Sequence, residues 1–317
     1  MLSLTGMMAL SGVIVAFAPD YAALMIGRAL LGVTIGGFWS MSTVTVMRLV
    51  PESSVPRALA ILNGGNALAA TIAAPLGSFL GAVIGWRGAF FCVVPLAALA
   101  LCWQLMSLPA MRSERRSGGA TVFRLLGRPK VAFGMAAILF LFMGQFALFT
   151  YLRPFLETVT GVDVATLSLL LLVVGVTGLA GTMLIGSLLK RSVYSVLIVS
   201  VLIVIPLLMA GIAVALVVFG GWVAGTALLL AAWGLIGTPA PVGWGTWLSR
   251  TLPADAEAGG GLMVATIQLA ITLGATIGGT LFDQSGYQAT FGVSTVFLVT
   301  AALLAFGASR AGRLRPA

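Results

Sequence analysis

SVYSVLIVSVLIVIPLLMAGIAVALVVFGGWVAGTALLLAAWGLIGTPAPVGWGTWLS, residues 192–249, runs for 58 positions without a charged side chain. A helix needs about 20 apolar residues to cross about 30 Å of hydrocarbon, so the stretch is too long for one span. Phe219-Gly220-Gly221-Trp222 supplies the turn between two. Membrane strands would show about ten residues of alternating polarity, and nothing here alternates. The stretch reads as two transmembrane helices.

The rest of the chain reads the same way. Uncharged runs occupy 1–19, 29–47, 58–86, 88–111, 131–152, 164–189, 258–282 and 284–309, which with the divided run predicts ten helices in an all-α polytopic membrane protein. Over 317 residues, 60% are hydrophobic and 8% charged, with a mean hydropathy of +1.13. Soluble domains carry about 25% charged residues, so a soluble enzyme is excluded. The first run has no basic leader and no cleavage site ahead of a soluble domain, so it is not a signal peptide.

The net charge of +9 is unevenly distributed. One set of loops holds Arg48, Arg57, Arg112, Arg115, Arg116, Arg124, Arg128, Lys130, Lys190, Arg191, Arg250, Arg310, Arg313 and Arg315; the other holds Arg87 and Arg153. Loops rich in Lys and Arg stay cytoplasmic, which places both termini on the cytoplasmic side of an inner membrane and leaves no nucleic-acid partner implied. Residues 109–130 form the one long polar, basic stretch, within which 121–126 suits a short helix on the membrane surface. The chain then divides into an N-terminal bundle, 1–108, of four spans, a basic cytoplasmic linker, 109–130, and a C-terminal bundle, 131–317, of six.

There is no histidine, and Cys92 and Cys102 are ten helical residues apart, about 15 Å and beyond disulfide reach. His-based triads, His-ligated metals and His proton relays are excluded. No phosphate-binding G-x-x-x-x-G-K-[ST] loop occurs, so an ATP motor on this chain is excluded too. No catalytic residue, metal site or cofactor is expected, and the chain is not read as an enzyme.

An internal repeat joins the halves. Gly77, Leu80, Gly85-Trp86 and Phe90 recur as Gly278, Leu281, Gly286-Tyr287 and Phe291, offset by 201 residues. Parallel repeats joined by a long cytoplasmic loop characterise one class of transporters. The unequal halves, four spans and six, read as a twelve-helix plan whose first two helices are missing.

Several side chains do not suit lipid. Arg28 lies two turns into a span, where an unpaired cation costs at least about 2.5–3.5 kcal/mol at mid-helix and usually turns inward to a partner. Gln268, Thr272 and Thr276 form an i, i+4, i+8 polar stripe expected to face inward. Asn63, Asn66, Gln145, Phe149 and Tyr151 add amide, aromatic and hydroxyl groups suited to a neutral, hydrogen-bonding solute. Trp233, Trp244 and Trp247 fall in one narrow sector at 3.6 residues per turn. Trp244 and Trp247, near the cytoplasmic end, suit an aromatic belt, whereas the deeper Trp233 suits stacking on a flat ring. Pro75, Gly77 and Gly81 make a kinked small-residue face for close helix packing, a device repeated at Gly32/Gly36 and Gly274/Gly278.

Gly27-Arg28-Ala29-Leu30-Leu31-Gly32, Ala73-Ala74-Pro75-Leu76-Gly77-Ser78 and Gly85-Trp86-Arg87 resemble motifs of the major facilitator superfamily. GRALLG, GGFW, APLGSFLG, IGWR, GQFALFTYLRP and PVGW, in that order, resemble the purine ribonucleoside efflux pumps of its drug–proton antiporter branch. The resemblance implies a two-bundle transporter whose halves rock about a site near the bilayer midplane. It implies export of nucleosides such as inosine or guanosine in exchange for protons. Arg28 would assist proton coupling, and Asn63, Asn66, Gln145, Phe149, Tyr151, Trp233, Gln268 and Thr272 would contact cargo. The sequence departs from the pattern at Ala70 and Ala74, where glycine is usual. Exporters of sugars, amino acids or drugs, and a truncated fragment without transport, are the alternatives.

Overall fold

A computed structural model describes residues 1–51, 55–107, 124–191, 195–252 and 255–311. The chain is helical throughout them: α1 Leu2–Ala16, α2 Tyr21–Leu49, α3 Val55–Val83, α4 Gly85–Phe91, α5 Val93–Ser107, α6 Pro129–Phe149, α7 Leu152–Phe155 with a π-helical turn Leu156–Thr160, α8 Val164–Arg191, α9 Ser195–Phe219, α10 Val223–Gly237, α11 Ala240–Thr251 and α12 Ala256–Ala311. Breaks fall where the backbone chemistry demands them. Asp20 Oδ1 accepts from Ala23 N–H at 2.8 Å and starts α2. Pro129 opens α6 at the position where a missing N–H costs nothing. Gly161, at φ +70°, ends the π-helical turn. Pro239 separates α10 from α11.

Among the described residues seven helices are long and apolar enough to cross a membrane. The ten spans counted from the sequence are therefore not all recovered by length. Leu2–Ala16 is apolar but has 15 residues, about 22 Å of helix. The apolar part of α3 is confined to Thr71–Val83, because the Asn63-Gly64-Gly65-Asn66 segment interrupts its first half. The longest span, Ala258–Ala311, holds 54 residues and bends at Gly286, which divides α12 into two arms.

The chain forms two compact units, Met1–Arg116 and Ser117–Ala317. Their helices repeat in register. α2 starts at Tyr21 and ends at Leu49, while the α10–α11 pair starts at Val223 and ends at Thr251, 202 residues later. Gly85 joins α3 to α4 at φ +76°, and Gly286, 201 residues on, joins the arms of α12 at the same φ. That left-handed conformation is open to glycine at little cost, which explains why the pattern returns with glycine at that position. In the second unit α6 and α8 precede the repeated helices and have no counterpart among the described helices of the first.

Glycine contacts set the packing of the second unit. Cβ atoms built on Gly274 and Gly278 would strike the α6 backbone at Met143 and Ala147, and one on Gly144 would lie 2.7 Å from Leu298 Cγ. The two arms of α12 thus grip α6 through side chains no larger than hydrogen, as membrane helices without a hydrophobic drive between them require. Ser294 Oγ donates to Gly144 O at 2.6 Å across the same contact. α8 and α10 meet in the same manner, Gly234 against the Val174 carbonyl and Gly181 against the Leu235 carbonyl. At one end Phe155 and Phe291, both fully buried, pack at 4.9 Å.

In the first unit Gly27 rests on Val15 and Ile14, Ser11 Oγ donates to Gly27 O at 2.7 Å, and Gly12 rests on Val94. The Arg87 guanidinium donates to Ala18 O at 2.7 Å and stacks on Trp86, pinning the α4 start to the α1–α2 turn. The expected surface helix at 121–126 lies partly outside the described residues. Arg124–Leu126 form one helical turn, with Leu125 buried.

Candidate functional site

The second unit holds the most unusual polar chemistry. Gln145 is half-buried on α6, its Oε1 has no exposed surface, and no described residue hydrogen-bonds to it. Trp233 on α10 is 1% exposed, and its indole N–H also has no partner. A buried polar atom left unpaired costs about 1–3 kcal/mol, so two in one bundle mark a place where a partner from outside the protein would be welcome. Gln145 and Trp233 are carried by helices locked together through glycines, so both are held in place. Beside Gln145, a Cβ on Gly237 would lie 3.6 Å from Nε2 and 2.8 Å from Met209 Cε. α6, α9 and α10 therefore converge at the carboxamide.

The other expected cargo contacts are placed differently. Phe149 is half-buried near the end of α6 and packs edge-on against Phe146 at 6.3 Å. Tyr151 is engaged within the bundle: its hydroxyl donates to Ala275 O at 2.9 Å, its ring stacks on Phe282 at 5.3 Å, and Gly279 makes room for it. Its polar atom therefore serves the α6–α12 contact. Gln268 is half-buried and Thr272 exposed, and the Thr272 and Thr276 hydroxyls fold back onto Gln268 O and Thr272 O at 3.0 and 2.9 Å. Their polarity is largely spent on their own helix. Asn66 is exposed on α3, and the Asn63 side chain lies outside those described.

Trp244 and Trp247 do not form a surface belt. They are 2% and 5% exposed and meet edge-to-face at 5.3 Å. The physical reason is Gly134, whose missing Cβ lets the Trp247 ring seat against α6. Nor do the three tryptophans share one helix, since α10 ends at Gly237 and α11 starts at Ala240.

In the first unit Arg28 is exposed, and its guanidinium lies over the Phe90 ring, 5.8 Å from the centroid. Among the described residues no carboxylate pairs with it. Pro75 lies inside α3 and is half-buried, as is Gly81. A Cβ on Gly77 would meet nothing within 4 Å, and the same holds for Gly32 and Gly36. The close packing expected at Gly77 is thus absent there, while its repeat partner Gly278 has it. The difference is α6, which fills that place only in the second unit.

Charged groups cluster at helix ends. Arg128, the residue before α6, pairs with Asp255 at 3.2 Å, and Arg153 with Glu157 at 2.8 Å. Asp163 Oδ1 accepts from Thr166 N–H at 3.2 Å ahead of α8. Hydrogen bonding from Thr166, side chain first and backbone second, holds its carboxyl below the usual range. Among the described residues no group of three or more Cys, Asp or Glu gathers to hold a metal.

The geometry can be set beside known proteins. The Major Facilitator Superfamily pattern matches residues 1–260. The chain is 57% identical over 308 residues, covering 96% of it, to the Transcription regulatory protein OpdE of Pseudomonas aeruginosa, 75% of which is covered. It is 41% identical over 294 residues to the Purine ribonucleoside efflux pump NepI of Salmonella typhimurium, spanning 93% of this chain and 73% of that one. A crystal structure of the human organic anion transporter MFSD10 (TETRAN) matches in fold with a TM-score of 0.66 and 17% identity, over 96% of this chain and 76% of that one.

Proposed function

Since this chain belongs to the major facilitator superfamily, we propose that it is a secondary active exporter of purine ribonucleosides that exchanges its cargo for protons across an inner membrane. The observation that carries the reading is the unpaired carboxamide of Gln145 in the same bundle as the unpaired indole of Trp233. A flat, neutral solute with hydrogen-bonding edges satisfies the amide, and Trp233 offers its ring for stacking or its N–H for a hydrogen bond. The name of the NepI relative supports nucleosides over other solutes of that description.

Work comes from the proton gradient, and alternating access delivers it: cargo-binding groups open to the cytoplasm in one state and to the far side in the other. Arg28 contributes a fixed positive charge on α2 that biases a nearby proton carrier. The Phe90 ring holds that charge at a modest cation–π gain of about 0.5–1 kcal/mol without neutralising it. Lys and Arg in the loops keep both termini cytoplasmic.

The test is export from cells. Cells expressing the chain and loaded with labelled inosine are expected to lose label faster than cells with an empty vector, and a protonophore is expected to abolish the difference. Equal loss in both overturns the reading. A second reading follows from the name of the OpdE relative, an effect on transcription. Altered transcript levels with no change in nucleoside export would favour it.

A further inference from the structure

We propose that Gly237 and Met209 position the Gln145 carboxamide so that it selects cargo presenting an N–H beside a C=O, the edge carried by 6-oxopurine nucleosides. The proposal rests on the reading of Gln145 as a cargo contact. It adds two positioning residues and a chemical basis for choice among nucleosides.

The glycines of the second unit fall into two kinds. At Gly181, Gly234, Gly274 and Gly278 the missing Cβ accommodates the backbone of a neighbouring helix. Those glycines let helices touch. At Gly237 the space is taken by side-chain ends: Met209 Cε at 2.8 Å, Met209 Sδ at 3.2 Å and Gln145 Nε2 at 3.6 Å from the built Cβ. Filling that space leaves the helices where they are and displaces a thioether and an amide instead. Met209 is fully buried, so its thioether has no solvent to retreat into. Its three rotatable bonds let it follow the shape of its surroundings, and the position of Gly237 fixes which shape that is.

The amide supplies the selectivity. Its Oε1 accepts and its Nε2 donates, and the complementary partner is a donor and an acceptor side by side. Neither atom hydrogen-bonds to a described residue. In a hydrocarbon-surrounded bundle an analogue without the complementary pair leaves the amide unpaired, and sites of that design reject such analogues strongly.

The test uses the full chain purified and reconstituted in proteoliposomes, with two labelled probes, inosine and purine riboside. Purine riboside keeps the ribose and the ring system but lacks the C6 oxygen and the N1 proton. The parent is expected to show an inosine KM at least about tenfold below that for purine riboside, the cost of one unpaired polar group. Gly237→Ala and Gln145→Leu are each expected to raise the inosine KM, more than they lower kcat, and to bring the two KM values together. Adding Met209→Ala to Gly237→Ala is expected to restore the inosine preference, because the smaller side chain returns the room. A role for Gly237 in folding alone would not give that rescue. An active parent that handles both probes equally overturns the proposal, as does a Gly237→Ala variant with an unchanged KM ratio, or a double variant without rescue. A parent that moves neither nucleoside overturns the export reading beneath it.

Discussion

The repeat offers an internally controlled experiment on helix packing. Gly77 and Gly278 occupy matched positions 201 residues apart, yet their surroundings are opposite. A Cβ at Gly278 would lie 2.9 Å from Ala147 O and 3.1 Å from its Cα, whereas one at Gly77 would meet nothing within 4 Å. Substituting alanine changes the intrinsic helix term equally at both, by about 1 kcal/mol in favour of alanine. At Gly278 the new methyl group must also push α12 off α6, and overpacking of this kind costs about 1–3 kcal/mol. Gly77→Ala is therefore expected to be neutral or stabilising by up to about 1 kcal/mol, and Gly278→Ala to be about 1–3 kcal/mol less stable than it, the propensity terms cancelling. Reversible unfolding of both variants in mixed micelles, followed by loss of helix signal against denaturant, measures the difference. Equal midpoints for the two variants would refute the claim that α6 seats on Gly278, and a larger loss at Gly77 would reverse it.

Three further outcomes follow from other contacts. Trp247→Ala empties the space against Gly134 and is expected to cost about 3–5 kcal/mol, read by the same unfolding assay; a loss under 1 kcal/mol would show that the ring is not core. Ser294→Ala removes the 2.6 Å bond to Gly144 O and is expected to cost about 0.6 kcal/mol, the average for hydrogen bonds between membrane helices, since Gly144 O keeps its place in the α6 ladder. The lowered carboxyl of Asp163 makes its contribution to the start of α8 complete above its unfolded-state pKa and lost as pH falls through the folded-state value. Amide exchange at Thr166 is expected to quicken on acidification in the parent and to be fast and pH-flat, after correction for intrinsic exchange, in Asp163→Ala.

Most of the fold was legible because the membrane imposes it: apolar runs of span length leave few alternatives to helices. The Gly85 and Gly286 breaks were legible as a repeated pattern, although nothing in the sequence marks which glycines need positive φ. What the sequence hid was contact. The periodicity of Trp233, Trp244 and Trp247 assumes an unbroken helix, and Pro239 breaks it. Burial of Trp247 depends on Gly134, more than a hundred residues away. Tyr151 has the chemistry of a cargo ligand, but its hydroxyl is engaged by the Ala275 carbonyl of α12. Of the candidate ligands, Gln145 and Trp233 are the two whose buried polar atoms the fold leaves unmatched. Met209 and Gly237 were missed because a methionine and a glycine carry no polar signal. The available clue was the small residue facing α9 in a helix otherwise free to carry larger ones.

Counterflow across a sealed membrane bears most directly on the central claim. Purified chain in proteoliposomes with an imposed pH gradient is expected to drive labelled inosine against its own concentration gradient, with movement ceasing when a protonophore collapses the gradient. Inosine that only equilibrates, or that accumulates equally with and without the pH gradient, would contradict proton-coupled nucleoside export.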